Sequence, residues 1–205
     1  MATNIDICNL ALAHLGEAQI VSLVEDNARA AACNLRYAFV RDEVLRAHRW
    51  NFAQKRAGNI AQLTVPAFGW AASYLLPDDC LRVCEFNGTE EGQIIGNEYI
   101  IEGRAILTNA TTVNIVYISR EEDVSKYDSI FINALALKLA AALTENIRGT
   151  SEKSGDLMAA YERITSPLAR RVDANEGRRR KGMIAMNSSF INARYGDYWD
   201  GFRSR

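Results

Sequence analysis

The stretch FINALALKLAAALTENIRG, residues 131–149, constrains the fold more than any other part of the chain. Ala and Leu occupy most faces of the helix it should form, and Ala is the strongest helix former. Asp128 is placed to cap its start and Gly149 to stop it. Small side chains on so many faces predict close packing against helices on more than one side.

Other helices are readable on either side of it. Thr3-Asn4-Ile5-Asp6 has the form of a capping box, with Ile5, Cys8, Leu12 and Leu15 at helical spacing and Gly16 as the stop. His14 belongs near the edge of that stripe, partly buried. A second helix is expected from about Asp26 to His48. Ala32, Leu35 and Phe39 make one apolar stripe and Cys33, Tyr37, Val40 and Val44 the next, a face wide enough to be gripped from two sides. Arg29, Asn34, Arg36, Arg41 and Glu43 hold the opposite side. Asp42 falls over Ala38 and Leu35 and needs a cation, with Arg46 or Arg49 in reach. A last helix starts near Ser151, carries Leu157, Tyr161, Ile164, Leu168 and Val172, and is interrupted at Pro167.

Between these blocks the pattern changes. Asn51–Gln62 is ambiguous, and Pro66, Gly69, Pro77 and Asp78-Asp79 are turn punctuation. Leu81–Phe86 alternates as a strand. Short strands are expected at Gln93–Ile95, Tyr99–Glu102, Ala105–Thr108 and Val113–Ser119, joined by Asn-Gly, Gly-Asn and Gly-Arg turns. This predicts a small antiparallel meander.

Charge is divided unevenly. Residues 163–205 carry ten Lys and Arg against four Asp and Glu, while residues 1–162 carry fourteen against twenty-one. The C-terminal stretch also holds Phe190, Tyr195, Tyr198, Trp199 and Phe202 with little aliphatic content, so it predicts an extended arm that orders on a partner. Arg178, Arg179, Arg180 and Lys181 would meet an acidic subunit surface or phosphates. No apolar run approaches the roughly 20 residues of a membrane span. The N-terminus has no basic n-region and carries Asp6 within its apolar part, so a cytosolic site of synthesis is expected.

Signatures of catalysis are weak. Cys8, Cys33, Cys80 and Cys84 form no C-x-x-C pair and read as free, buried thiols; two distant histidines do not complete a metal site. No phosphate loop, dinucleotide fingerprint or nucleophile elbow is present. Asp78-Asp79, Glu90-Glu91 and Glu121-Glu122-Asp123 fall in turns, where solvated charge is expected. No cofactor and no catalytic residue is assigned.

One segment gathers polar groups without such a signature: RDEVLRAHRWNFAQKR, Arg41–Arg56. Leu45, Trp50 and Phe52 look like anchors, and His48 like a helix-end residue near the last carbonyls. Arg41, Asp42, Leu45, Trp50, Asn51 and Phe52 are therefore assigned to a structural corner between helices and strands.

In order along the chain, these pieces resemble the head-to-tail adaptors of short-tailed bacteriophages, the tail tubular protein A type. The resemblance runs through ICNLALAHLGE (7–17), the block from Ser22 to Arg56, FGWAASYLLPDDCLRV (68–83) and ALALKLAAAL (134–143), and spans most of residues 5–145. In that family a Cys, a Tyr and an Arg-Asp pair precede an L-x-x-x-x-W-N-F-A segment, matched here by Cys33, Tyr37, Arg41, Asp42 and Leu45–Ala53. Where the family often has Pro before the Trp, this chain has Arg49.

The resemblance implies an α+β fold, mainly α. An antiparallel bundle of about four helices (1–62 and 124–176) would carry a small inserted antiparallel β-meander (63–123) and an extended basic and aromatic C-terminal arm (177–205). It implies a ring, typically of twelve subunits, at the head-tail junction of the virion. The ring would join the portal protein to the tail nozzle or tube and let DNA pass without specific recognition, with no membrane involved. Arg178–Lys181 and the arm aromatics would contact the portal or a neighbouring subunit. Two other readings compete: an adaptor with weak muramidase-like peptidoglycan hydrolase activity, and a DNA-binding protein that uses the basic arm.

Overall fold

Thr3 starts the first helix through a reciprocal cap: its hydroxyl accepts from the Asp6 amide at 3.2 Å, and Asp6 accepts from the Thr3 amide at 2.8 Å. In this computed structural model, which describes residues 2–90, 99–148, 152–165, 167 and 171, α1 spans Asn4–Leu15. It ends on Gly16, left-handed at φ 73°, as the sequence predicts. His14 is exposed rather than partly buried.

Asn27 caps α2 (Ala28–Ala47), its side-chain oxygen accepting from the Ala30 amide at 2.8 Å. Asn27 is itself held by Glu25, whose other carboxylate oxygen accepts from the Val21 and Ser22 amides at 2.6 and 2.8 Å. Those amide bonds hold the Glu25 carboxyl below its ordinary range. Asn27→Ala is expected to cost about 1 kcal/mol of stability in chemical unfolding, the usual worth of a lost cap. Cys33, Tyr37, Val40 and Val44 are buried, as their spacing predicts. Leu35 and Phe39, expected on the same wide apolar face, are instead 61 % and 73 % exposed. Arg41, expected on the polar side, is buried.

Helix α3 (Ser129–Arg148) packs against α1, α2 and also α4 (Glu152–Ala160). Ala134, Leu135 and Ala136 are buried in succession, so burial is not confined to one stripe. That is the multi-sided packing its Ala content predicts. A π turn, Tyr161–Thr165, continues α4, with Leu157 and Tyr161 buried. Gly149, Leu168 and Val172 lie outside the described residues. Among the described residues no helix is long and apolar enough to cross a membrane.

The single meander is replaced by two antiparallel sheets. Strands β1 (Gln54–Ala57), β7 (Ile115–Ser119), β3 (Cys80–Phe86) and β4 (Thr89–Glu90) form one in that order; β2 (Ala72–Leu75), β6 (Ala105–Thr108) and β5 (Tyr99–Glu102) form the other. Strands β5 and β6 have the predicted limits and meet at the Gly-Arg turn, Gly103 having φ 59°. Asn87-Gly88, φ 48° and 90°, turns β3 into β4. Strands β1 and β2 come from stretches read as ambiguous and as turns. The expected strand at Gln93–Ile95 lies outside the described residues.

The four-stranded sheet separates two cores. Cys84 and Ile118 join the helical core with Leu135, Leu139 and Trp50, while Val83, Phe86, Ile115 and Tyr117 pack with Tyr74 and Ile106 of the other sheet. Strand β3 contributes to both, and its register against β7 slips twice, at Cys80/Arg82 and at Val83/Glu85. Each slip places an extra residue on β3 and re-aims the side chains that follow. Cys80 and Cys84, which simple alternation would put on one face, therefore pack in different cores.

Candidate functional site

The corner forms where α2 stops without a proline. His48 leaves the helix in extended conformation, and a short 3-10 turn, Asn51–Ala53, leads into β1. Trp50, buried, fixes the change of direction: its indole N–H donates to the Val44 carbonyl at 2.9 Å, satisfying an acceptor freed by the helix end. Leu45 is fully buried beneath it. Asn51 accepts from the Gln54 side-chain amide at 2.9 Å. Around Phe131 of α3 stand Trp50, Phe52 and Tyr127, with ring centres 5.0, 5.0 and 4.8 Å away and near edge-to-face. His48 meets the Trp50 ring edge-on at 5.0 Å.

Charged groups brace the same corner. Arg41 lies 2.8 Å from Asp42 and 3.2 Å from Glu122, and the second oxygen of Asp42 accepts from Arg120 at 2.7 Å. Burial opposes the Arg41 charge, but bonding to Asp42 together with the nearby charges of Asp42 and Glu122 outweighs it and holds the guanidinium above its ordinary value. Burial also pushes the Tyr127 hydroxyl up to about 12. Asp42 thus finds its cations in Arg41 and Arg120 rather than Arg46 or Arg49. Arg49 pairs with the buried Glu85, and Arg46 donates to the Leu81 carbonyl. Arg82 returns a bond to the Arg46 carbonyl at 3.3 Å. The end of α2 is tied to β3 and to the segment after β7.

Of the acidic turns expected to be solvated, Glu121 and Asp79 are engaged and Asp78 is exposed, while the Glu90 and Glu91 side chains lie outside the described residues. Glu121 is buried and accepts from Lys126 at 2.9 Å. Asp79 accepts from Lys55 of β1 at 2.7 Å and from the Tyr117 hydroxyl of β7 at 3.0 Å. Partial burial raises the Asp79 carboxyl, but these two bonds outweigh it and leave it below its usual 3.8. A carboxyl depressed in the folded state adds stability that is present above its unfolded value and lost as pH falls through the folded one. Asp79→Asn should therefore flatten the loss of melting temperature between about pH 6 and pH 3, relative to the unmodified chain.

Among the described residues the most exposed large apolar side chains fall in two places. One is α2 with the turn before it, where Val21, Val24, Leu35 and Phe39 are exposed. The other is the segment leading to β2, where Val65 and Phe68 are 64 % and 88 % exposed. Single exposed apolar groups are ordinary, but the i, i+4 pair Leu35 and Phe39 makes a continuous strip on one helix.

His14 is exposed on α1 and His48 is at the corner. None of the four cysteines is joined in a disulfide; bonding to Cys33 and burial push the Cys8 thiol up, and burial pushes Cys80 up to about 11. Among the described residues no three His, Cys, Asp or Glu side chains are grouped to hold a metal.

The assigned corner residues Arg41, Asp42, Leu45, Trp50, Asn51 and Phe52 all stand at this junction. Arg178, Arg179, Arg180, Lys181, Phe190, Tyr195, Tyr198, Trp199 and Phe202 lie outside the described residues. Sequence reasoning did not find Arg120, Glu122, Tyr127 and Phe131 as parts of the corner. Their only local signal was the cap at Asp128. Comparison with protein-family models finds no match, and neither does comparison with curated proteins.

Proposed function

We propose that the chain is a structural virion protein, a head-to-tail adaptor of tailed bacteriophages. Its copies form a ring that joins the portal to the tail nozzle or tube. The observation that carries this reading is the pair of exposed apolar surfaces, one on the helical part and one on the segment leading to β2. Leu35 and Phe39 stand on the helical part, and Val65 and Phe68 on the segment leading to β2. Two different patches on one chain suit heterologous contact, which closes into a ring when the rotation permits.

The ordered motif series from Ile7 to Leu143 supports the same reading. In it the helices form a bundle around α3, and residues 177–205 form the arm that meets portal or neighbour. The corner's rings and ion pairs would hold the angle between the parts, which sets ring curvature.

A hydrolase would want a carboxylic acid kept protonated in an apolar pocket. The buried acids Glu85 and Glu121 instead pair with Arg49 and Lys126, which favours the assembly reading. Mass photometry of the purified chain, with and without portal oligomers, tests it. A single high-mass species, alone or bound to portal, is expected. Monomer under both conditions contradicts it, and clearing of peptidoglycan in a zymogram would favour the hydrolase.

A further inference from the structure

Between the end of α2 and the two sheets lies a cleft of about 290 Å³. Arg46 of α2, Arg82 of β3 and Arg104 of the β5–β6 turn line it, and Leu81, Val83 and Ile101 add apolar wall. Among the described residues that line it, none is acidic. Backbone carbonyls orient Arg46 and Arg104 without neutralising them. Arg46 donates to Leu81, Arg82 to Arg46, and Arg104 to Leu76 and Pro77 at 3.5 and 2.6 Å. Arg104 also lies 3.5 Å from Asp78, but that carboxylate is fully exposed and the pair is screened. A guanidinium carries five donors, so Arg46 and Arg104 keep capacity for a further acceptor.

We propose that this cleft binds the segment Asp197-Tyr198-Trp199-Asp200 of an adjacent copy of the chain. Asp197 and Asp200 are the only acidic side chains from residue 177 onward, and they bracket two aromatic residues. Arginine suits both halves of that segment, since its planar fork takes carboxylate and its face stacks on aromatic rings. Phosphate alone would use the arginines and leave Leu81, Val83 and Ile101 unfilled, so an acidic aromatic peptide is the better match. The chain from Arg171 to Asp197 can span at most roughly 90 Å, enough to cross from one subunit to the next. The adjacent copy as donor rests on the ring reading above.

The test uses the full chain carrying Ile101→p-benzoylphenylalanine at the rim of the cleft. Isotopically heavy and light chains are mixed equally, assembled, irradiated and mapped by mass spectrometry. Cross-links to residues 196–202 joining heavy to light chains are expected. They should fall by roughly tenfold or more in the Asp197→Asn/Asp200→Asn double variant, which alters only the arm. Arg104→Glu should remove them, and Arg104→Glu combined with Asp197→Arg/Asp200→Arg should restore them.

Cross-links elsewhere, or only within one chain, overturn the proposal. So does a cross-link to added duplex DNA in place of the arm, which would assign the cleft to phosphate. Mass photometry of the same samples separates the two readings. Rings without the arm cross-link remove this inference alone, whereas chains that never associate remove the ring reading with it.

Discussion

Phe131→Ala should lower the free energy of unfolding by about 3–5 kcal/mol, the usual range for deleting a buried aromatic ring. Phe131 is fully buried and stands among Trp50, Phe52 and Tyr127. Removing it empties the centre of the corner and takes three edge-on ring contacts with it, each worth about 0.5–1.5 kcal/mol beyond simple burial. The neighbours are poorly placed to collapse into the space. Trp50 is tied to the Val44 carbonyl, and Tyr127 donates to the Glu121 carbonyl at 2.6 Å. Phe131→Leu, which keeps much of the volume, should cost less than half as much. Denaturant unfolding followed by tryptophan fluorescence measures both. Equal effects from Ala and Leu, or a loss for Ala below about 1 kcal/mol, would mean that the corner does not depend on this ring.

Leu35→Glu/Phe39→Glu should leave that folding free energy nearly unchanged and abolish self-association. Both side chains are exposed, so the folded subunit loses little packing, and Glu is a good helix former. If a neighbouring copy covers them, each contributes about 1.5–3 kcal/mol by burial, so losing both weakens one contact by roughly 100-fold or more. Buried negative charge adds to that loss. Sedimentation velocity across a concentration series reads the result. Association that persists at unmodified strength would show that this strip faces no neighbour. Val65→Glu/Phe68→Glu probes the second patch in the same way, and heterologous pairing requires both to matter.

Much of the fold was readable where the signal is local. The Thr3–Asp6 cap, the limits of β5 and β6 and the multi-sided burial of α3 follow from short spacings and turn chemistry. What was not readable depends on distant partners. Gln54–Ala57 is a polar tetrapeptide that becomes a strand because Ile115–Ile118 pairs with it. Arg41 looks like surface until Glu122, far along the chain, meets it beside Asp42. The slips in β3 break the alternation from which its faces were read.

Leu35 and Phe39 illustrate a different limit. An apolar stripe at helical spacing is the same signal whether it packs into its own core or onto another molecule. Trp50 and Phe52 were correctly read as anchors because their segment was polar around them, but nothing local named Phe131 as what they anchor to.

Electron micrographs of the purified full chain, averaged with and without its portal, test the assembly account most directly. The account predicts closed rings of one fixed copy number, seen end-on alone or stacked coaxially on the portal. Uniform monomers that leave the portal bare would contradict it.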